Sequence, residues 1–180
     1  SNDDPVARIN AREGSLSLLI IGGSQGARVL NDTIPAALAA TPPDQRPTVL
    51  HQCGRGNAQA VGQAYQDVGV PAQVLEFIDD VAQAYAWADL LVCRSGALTV
   101  SEVSAAGVGA IFIPFMHKDR QQALNADHLV ECGAAFMIEQ PDLTVDNLTN
   151  AIATLDRNEL KMMATKARNA AKLDADVTVA

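Results

Sequence analysis

The sequence predicts a single α/β domain in which six parallel strands form one sheet with helices on both faces. Short apolar runs alternate with longer amphipathic stretches along most of the chain. The short runs are apolar at successive positions, so both faces of each strand would be buried, which is typical of parallel sheets. Glycines stand where three of the helical stretches end, at Gly69, Gly107 and Gly133.

Six short apolar runs are the predicted strands, and they are Leu16–Ile21, Thr48–Gln52, Gln73–Leu75, Leu90–Cys93, Ala110–Ile113 and Ala135–Ile138. Seven stretches with helical spacing are the predicted helices, and they are Ala27–Ala40, Asn57–Val68, Asp80–Trp87, Leu98–Ala106, Arg120–Cys132, Thr144–Leu155 and Glu159–Ala171. The crossovers between parallel strands should be right-handed. We predict that residues 1–14 are a polar linker or an expression remnant, that residues 15–176 form the domain, and that residues 177–180 are a cut C-terminal end.

Length and composition limit the classes of protein to consider. With 180 residues, 48% of them hydrophobic and 4% aromatic, the chain can bury a core of Ala, Val, Leu and Ile. The net charge of −8 argues against a nucleic-acid partner, which would need a basic face. The cysteines Cys53, Cys93 and Cys132 form no CxxC pair, which favours reduced thiols in the cytoplasm. Their spacing to the histidines matches no zinc site, so we predict no metal.

The segment Arg94–Glu102 leads from a predicted strand through a turn of small residues into a helix. The first backbone N–H groups of such a helix are uncovered, and together with the helix dipole they attract anions. Glu102 lies about one turn further in and would repel a phosphate, but it could accept hydrogen bonds from a neighbouring diol. This combination fits a ribonucleotide. The alternative is that Glu102 only complements the helix dipole.

Three further segments follow predicted strands, where ligands bind in parallel sheets. The first, Gly22–Ala27, lets a ligand approach the backbone closely. It is neither GxGxxG, because Ser24 holds the place of the second glycine, nor a P-loop. A tight turn with Ser24 as helix cap is the alternative. No acid follows the second strand, as a dinucleotide site would favour, although Arg55 leaves NADP possible.

In the second segment, Glu76–Asp80, Phe77 could cover a flat base while the backbone of Ile78 contacts its edge. Asp79 or Asp80 could equally be a helix cap.

The third segment, Pro114–Gln122, continues to Asn125, which shares a helix face with Gln122. Such amides can donate to and accept from sugar hydroxyls. The alternative is a solvated helix start capped by Asp119. Arg94 could either pair with a carboxylate or lie near phosphate.

Five motifs in this order resemble the C-terminal, donor-binding half of the MurG family, from about residue 12 to about residue 176. They are GGSQGA (Gly22–Ala27), FIDD (Phe77–Asp80), AYAWAD (Ala84–Asp89), CRSGALTVSE (Cys93–Glu102) and PFMHKDRQQ (Pro114–Gln122). Members of this family transfer N-acetylglucosamine to lipid I to form lipid II in peptidoglycan synthesis. The resemblance implies a GT-B fold, in which two Rossmann-like domains flank a cleft.

The resemblance also implies the donor-binding residues. Ile78 would contact uracil through its backbone with Phe77 beside the ring, and Glu102 would bind the ribose hydroxyls. Ser24 and the start of the helix would face the diphosphate, and three amides would meet the sugar. The helix residues of this set are Ala97, Leu98, Thr99, Val100 and Ser101, and the amides are Gln121, Gln122 and Asn125.

The family is inverting and needs no metal or other cofactor in its donor site. Its acceptor domain, which would hold lipid I and the catalytic base, is not in this sequence, so we predict no catalytic residue here. The chain should bind UDP-N-acetylglucosamine weakly and be inactive alone. Through the other domain, the full-length enzyme would lie peripherally on the inner face of the plasma membrane and serve cell-wall biogenesis, cell shape and cell division. The alternatives are a non-catalytic NADP-type module and an α/β domain used only for protein contacts.

Overall fold

A computed structural model describes the backbone of residues 4–179 and the side chains of residues 4–177. Six parallel strands form one sheet in the order β3-β2-β1-β4-β5-β6. The strands are β1 (Ser17–Ile21), β2 (Thr48–Gln52), β3 (Gln73–Leu75), β4 (Leu90–Cys93), β5 (Gly109–Phe112) and β6 (Ala135–Met137). All six predicted strands are confirmed, with ends that differ by at most one residue.

Both faces of the sheet are buried, as the apolar runs predict. Along β1, Leu18 and Ile20 pack into one hydrophobic cluster, whereas Leu19 packs into another on the opposite face. The neighbouring strand β4 divides in the same way, since Leu91 joins Leu19. Alternate residues of a strand point to opposite faces, so strands covered on both sides must be apolar throughout.

The helices that cover the sheet are α1 (Pro5–Asn10), α2 (Arg28–Ala39), α3 (Ala58–Asp67), α4 (Val81–Trp87), α5 (Ala97–Ala106), α6 (Gln121–Glu131), α7 (Val145–Ala153) and α8 (Arg157–Val179). Two 3₁₀ turns lie at Pro43–Gln45 and Gln140–Asp142. The seven predicted helices are confirmed as α2 to α8, but α8 starts two residues before the predicted Glu159 and continues eight residues beyond the predicted Ala171. Gly107 ends α5 in the left-handed region, with φ of 67°, as predicted for a helix C-terminus.

Helix α1 differs from the prediction, because the sequence suggests a polar lead-in over residues 1–14. Asp4 caps the helix, Pro5 occupies its first turn, and Ile9 is fully buried. The Arg8 guanidinium donates to the carbonyls of Ala106 and Gly107, at 3.2 and 2.8 Å. Residues 5–10 are therefore a packed part of the fold. Residues 1–3 and 180, which belong to the predicted lead-in and C-terminal end, lie outside the described residues.

A buried carboxylate joins the beginning of the chain to the sheet. Asp89 is fully buried just before β4, where it accepts hydrogen bonds from Arg12 Nη1 at 2.6 Å and from the Ser17 backbone N–H at 2.8 Å. Nη1 of Arg157, at the start of α8, lies 3.7 Å from Oδ2 of Asp89, which is the oxygen that accepts from Ser17. A buried charge needs such partners, and these partners fix α8 and the lead-in to β4.

Candidate functional site

The candidate site lies at the carboxyl edge of the sheet, where β1 and β4 are neighbours. The chain leaves these two strands towards opposite sides of the sheet, which opens a crevice at this point. A cleft of about 480 Å³ is found there. Its lining comes from the loops after β1, β4 and β5 and the start of α2, and it includes Gly22, Ser24, Gly26, Arg28, Arg94, Phe115 and Gln122. The structure thus brings three of the four predicted segments together around one cleft.

The glycine-rich loop is closed by a side chain from β2. Oε1 of Gln52 accepts hydrogen bonds from the backbone N–H groups of Gly22 and Gly23, both at 3.0 Å. Nε2 of Gln52 donates to the carbonyls of Gly23 and Glu76, at 2.8 and 2.7 Å. Gln52 is buried and its amide is fully used, so it holds the loop rather than a ligand.

The loop leaves the start of α2 without a side-chain cap. Ala27 is the N-cap residue, and no described side chain caps the first turn of this helix. Ser24 is exposed and does not cap α2, so the alternative interpretation of Ser24 as a helix cap is wrong. The first N–H groups of α2 are therefore open towards the cleft, which is a favourable arrangement for an anion.

The start of α5 is also uncapped, as the sequence predicts. Gly96 is its N-cap residue and has no side chain to accept from the first turn. Ala97 and Leu98 are exposed, Leu98 to 72%, and Thr99 is half-buried. Within the described part of the chain, the N–H groups of these three residues have no hydrogen-bond partner. They are free to bind an anion.

The two residues that follow in α5 differ from each other. Ser101 is exposed. Val100, by contrast, is buried in the core, and its N–H donates to the carbonyl of Gly96 at 3.0 Å. Neither the side chain nor the N–H of Val100 is open to a ligand, so the structure does not support Val100 among the donor-binding residues. The helical period explains the difference, because Val100 faces the sheet.

Glu102 is half-buried in the second turn of α5 and has a specific partner. The hydroxyl of Tyr85, in α4, donates to Oε2 of Glu102 at 2.9 Å. Burial, followed by this hydrogen bond, raises the pKa of Tyr85 far above its usual range, so the hydroxyl stays protonated. Helix-dipole effects fall off within the first turn, so dipole compensation is a weak explanation for Glu102.

Of its two predicted roles, Arg94 has the structural one, which is to hold the turn. Its partners are carbonyl and amide oxygens instead of the predicted carboxylate. Its Nη1 donates to Oε1 of Gln140 at 2.9 Å and to the carbonyls of Ile113 and Pro114 at 3.3 and 3.2 Å. Its Cζ lies 5.4 Å from the centroid of the Phe115 ring. Burial lowers the pKa of Arg94. Among the described residues no acid neutralises this guanidinium, so it adds positive potential to the cleft.

Gln122 joins the loops after β4 and β5. Its Oε1 accepts from the backbone N–H groups of Ser95 and Phe115, at 3.2 and 2.8 Å. Because the oxygen must face these two donors, the orientation of the amide is settled. Nε2 has no partner among the described residues and lies 4.0 Å from the position of a Cβ built on Gly96. Gln122 thus offers donors, and not an acceptor, near the start of α5.

Asn125 shares the helix face of Gln122, as predicted, and its Nδ2 donates to the Ser95 carbonyl at 3.1 Å. Gln121 is exposed, and its Nε2 donates to Oδ1 of Asn125 at 3.0 Å. Asp119 accepts from the Gln121 backbone N–H at 3.1 Å, but the N-cap residue of α6 is Arg120, so Asp119 is not the helix cap that the alternative interpretation gave. This N–H, with a smaller contribution from His117, lowers the pKa of Asp119.

The loop after β3 carries the two residues predicted to meet a base. Phe77 is 46% exposed, and the guanidinium carbon of Arg55 lies 5.9 Å from its ring centroid. Ile78 is half-buried, and its backbone has no hydrogen-bond partner within residues 4–179. Oδ1 of Asp80 accepts from the Gln83 N–H at 3.0 Å, so the predicted cap is confirmed there.

Two site residues escape the sequence analysis. Gln52 is polar at the end of a buried strand and precedes Gly54, and this position could have indicated its role in the loop. Tyr85 lies on the apolar face of its helix, so the sequence pattern does not distinguish it from a core residue. Its role depends on a contact between α4 and α5, 17 residues apart.

Within residues 4–179, no group of three or more His, Cys, Asp or Glu side chains is placed to hold a metal ion. No helix in this part of the chain is both long and apolar enough to cross a membrane.

Comparison with known proteins connects this geometry to a family. The model of the glycosyltransferase family 28 C-terminal domain matches residues 17–179. A "UDP-N-acetylglucosamine--N-acetylmuramyl-(pentapeptide) pyrophosphoryl-undecaprenol N-acetylglucosamine transferase" of Vibrio atlanticus (strain LGP32) is 70% identical over 178 residues, which are 98% of this chain and 50% of that protein. The protein of the same name from Vibrio parahaemolyticus serotype O3:K6 (strain RIMD 2210633) is 69% identical over 179 residues, with coverage of 99% and 50%.

A solved structure agrees with the sequence relatives. The crystal structure of Acinetobacter baumannii MurG superposes with a TM-score of 0.86 at 38% identity, covering 96% of this chain and 52% of that one. The predicted resemblance and the predicted Rossmann-like α/β domain of the GT-B type are confirmed. The chain spans about half the length of the relatives it matches. Since the family model covers nearly all of the sequence, the chain belongs to glycosyltransferase family 28, as a C-terminal domain of that family.

Proposed function

We propose that this chain is the UDP-N-acetylglucosamine-binding domain of an inverting, metal-independent N-acetylglucosaminyltransferase. The complete enzyme would transfer N-acetylglucosamine to lipid I and form lipid II in peptidoglycan synthesis. The names of the relatives, at 70% and 69% identity, support this donor and this transfer. The cleft at the carboxyl edge of the sheet supplies the physical side of the proposal.

One observation carries the proposal. The uncapped start of α5 and the carboxylate of Glu102 lie on one helix, about a turn apart. Leu98 and Glu102 are four residues apart and therefore share a helix face. Donors for a diphosphate and an acceptor for a diol are thus next to each other, in the order in which a ribonucleoside diphosphate presents these groups.

The departing group of the reaction is UDP, which leaves with increased negative charge on its diphosphate. The N–H groups of Ala97, Leu98 and Thr99 and the positive end of the helix dipole would stabilise this charge, as donors do in an oxyanion hole. The open start of α2 and Ser24 would contribute from the facing loop. The guanidinium of Arg94, which has no acid beside it among the described residues, raises the positive potential of the neighbouring cleft.

The other ends of the donor have matching groups. Phe77 is exposed for contact with uracil, and the backbone of Ile78 is open to its edge. At the sugar end, Nε2 of Gln122 can donate to a hydroxyl, while Gln121 and Asn125 continue the same polar face. The Gln122 oxygen is held by two backbone N–H groups, so its part in sugar recognition would be that of a donor.

The acceptor side of the reaction would belong to a second domain. Lipid I, the catalytic base and the peripheral contact with the inner face of the plasma membrane would all be supplied by that domain. We therefore expect the isolated chain to bind its donor weakly and to transfer no sugar. Addition of the N-terminal half of a relative should restore transfer if the division of labour is as proposed.

A nucleotide-binding module of the NADP type is the competing function. Such a site would favour an acid at the end of β2, where this structure has Gln52 with all its amide groups in use. Titration of the chain with UDP, UDP-N-acetylglucosamine and NADP separates the two functions. We expect saturable binding of the two uridine nucleotides, and binding of NADP alone would overturn the proposal. In crystals soaked with UDP-N-acetylglucosamine, UDP should lie at the start of α5; UDP elsewhere, or Glu102 turned away from it, would contradict the proposal.

A further inference from the structure

The two carboxylate oxygens of Glu102 differ in their hydrogen bonds. Oε2 accepts a hydrogen bond of 2.9 Å from the hydroxyl of Tyr85, whereas Oε1 has no partner among the described residues. Tyr85 is 4% exposed, because its ring packs in the cluster between α4, α5 and the sheet. The hydroxyl is thus presented from a rigid position. The side chain of Glu102 is consequently fixed at one oxygen and open at the other.

We infer that Tyr85 is a positioning residue for nucleoside recognition, which holds Glu102 so that its second oxygen faces the ribose hydroxyls. This inference rests on the proposed function, in which Glu102 binds the ribose. A glutamate on a helix surface samples several rotamers and must be ordered when it binds a ligand. A hydrogen bond to a buried tyrosine orders it beforehand, and such preorganisation increases affinity.

The direction of the hydrogen bond also supports this role. The carboxylate can only accept, so the phenol donates to it and stays protonated. Tyr85 itself is buried in α4 and cannot reach the ligand, so its effect must pass through Glu102. The expected signature is therefore selective. Loss of the Tyr85 hydroxyl should weaken recognition of the ribose hydroxyls and leave contacts with the diphosphate and the base unchanged.

The test compares two ligands on the same 180-residue chain. The dissociation constants of UDP and 2′,3′-dideoxy-UDP are measured by NMR titration, which reports binding in the millimolar range. Their ratio gives the preference for the ribose hydroxyls and cancels any change that affects both ligands equally. We expect Y85F, which keeps the ring, to reduce the preference for UDP about 3- to 10-fold, in the range for immobilising one side chain.

The matched control is Y65F, since Tyr65 is also a buried tyrosine with a hydrogen-bonded hydroxyl but lies in α3 and bonds to His51. It should change stability and leave the ratio unaltered. In an E102A background, in which the preference for UDP is already lost, Y85F should have no further effect on the ratio.

The outcomes distinguish this inference from the proposed function. If the unmodified chain binds UDP and the dideoxy nucleotide equally well, or binds neither, the role proposed for Glu102 fails and Tyr85 has nothing to position. If the unmodified chain prefers UDP and Y85F keeps the whole preference, the proposed function stands and the role of Tyr85 is overturned. An equal change of the ratio in Y85F and Y65F would also overturn it, because the effect would then not pass through Glu102.

Discussion

Gln52 and Gly23 exchange two hydrogen bonds across the carboxyl edge of the sheet. The Gly23 N–H donates to Oε1 of Gln52 at 3.0 Å, and Nε2 of Gln52 donates back to the Gly23 carbonyl at 2.8 Å. The Gln52 side chain thus forms with the loop after β1 the pair of hydrogen bonds that the backbone of a neighbouring strand would form. The same amide reaches the Glu76 carbonyl, and so it connects the loops after β1 and β3.

Replacement of Gln52 by leucine should loosen this loop. The change keeps the approximate volume but removes the donors and acceptor for the backbone of Gly23 and Glu76. We expect the free energy of unfolding to fall by about 1–3 kcal/mol, the range for buried polar groups left without partners. Urea denaturation measures this value. The control is Gln63→Leu, on the exposed face of α3, and an equal loss in the control would contradict the role of Gln52.

Gly26, in the loop after β1, is required by close backbone contact. Gly26 has φ of 74°, and a Cβ built on it would lie 2.1 Å from the Cys53 carbonyl oxygen. Gly26→Ala should therefore destabilise the domain by more than about 2 kcal/mol, because strain and a steric clash add. Gly62 lies inside α3, and beyond the backbone of its own helix no described atom lies within 4 Å of its added Cβ. Gly62→Ala should instead stabilise the domain by up to about 1 kcal/mol. Thermal unfolding of both variants shows whether the signs are opposite.

The buried carboxylate of Asp89 should be among the most sensitive positions. Asp89→Asn keeps the shape of the side chain but leaves Arg12 and Arg157 without their counter-charge. We expect a loss of about 3–5 kcal/mol in the free energy of unfolding, as is found when one partner of a buried ion pair is removed. The control Asp32→Asn breaks the exposed pair with Arg28 at 3.6 Å and should leave stability unchanged within error. Similar losses in both variants would show that burial is not the cause.

A buried histidine should make the stability of the domain depend on pH. His51 is fully buried, its Nδ1 lies 2.6 Å from the Tyr65 hydroxyl, and its Nε2 lies 2.9 Å from Oδ1 of Asn31. Asn31 Oδ1 can only accept, so Nε2 carries the proton and Nδ1 accepts from Tyr65. Burial lowers the pKa of His51 from 6.5 to about 4. The ring is therefore neutral in the folded protein near pH 6, whereas it begins to bind a proton in the unfolded chain.

Since the unfolded chain binds more protons between pH 6.5 and pH 4, the free energy of unfolding should fall as the pH falls through this window. The contribution of His51 is complete above pH 6.5 and lost at pH 4, with a slope of up to about 1.4 kcal/mol per pH unit. Urea denaturation at several pH values should show this slope, and His51→Gln should reduce it. The exposed His128 is the control, and an equally reduced slope in His128→Gln would contradict the assignment.

The sequence predicts the sheet well because its signals are local and repeated. Apolar runs and terminal glycines such as Gly107 mark strands and helix ends without reference to the rest of the chain. Helix α1 was not predicted, because the short stretch Pro5–Asn10 gains its stability from packing on α8. The hydrogen bonds of Tyr85 and Gln52 were not predicted for a similar reason, since each joins residues distant in sequence, although Gln52 gave a local signal as a polar residue at the end of a buried strand. Val100 illustrates a different limit. It was predicted to bind the donor because it lies within a motif, but a helix exposes only some of its residues and Val100 is buried.

Gln122 gives the sharpest test of sugar recognition, because its two ends have different tasks. Its oxygen holds the Ser95 and Phe115 backbone, and its NH₂ group is open near the start of α5. Gln122→Glu keeps the acceptor for both loops and removes the donors, whereas Gln122→Ala removes both. We expect each variant to bind UDP-N-acetylglucosamine no better than UDP, which is a loss of about 1 kcal/mol or more for the missing hydrogen bond to the sugar.

The ratio of the two dissociation constants, measured on the same variant by NMR titration, cancels effects of loop disorder that act equally on both ligands. Only Gln122→Ala should also lower the melting temperature substantially, because only this change leaves the two N–H groups without an acceptor. If Gln122→Glu kept the full preference for the sugar nucleotide, donation from Gln122 would not contribute to sugar recognition. Selectivity would then have to come from Gln121 and Asn125, which lie on the same helix and are joined by a hydrogen bond of 3.0 Å that Gln121 donates.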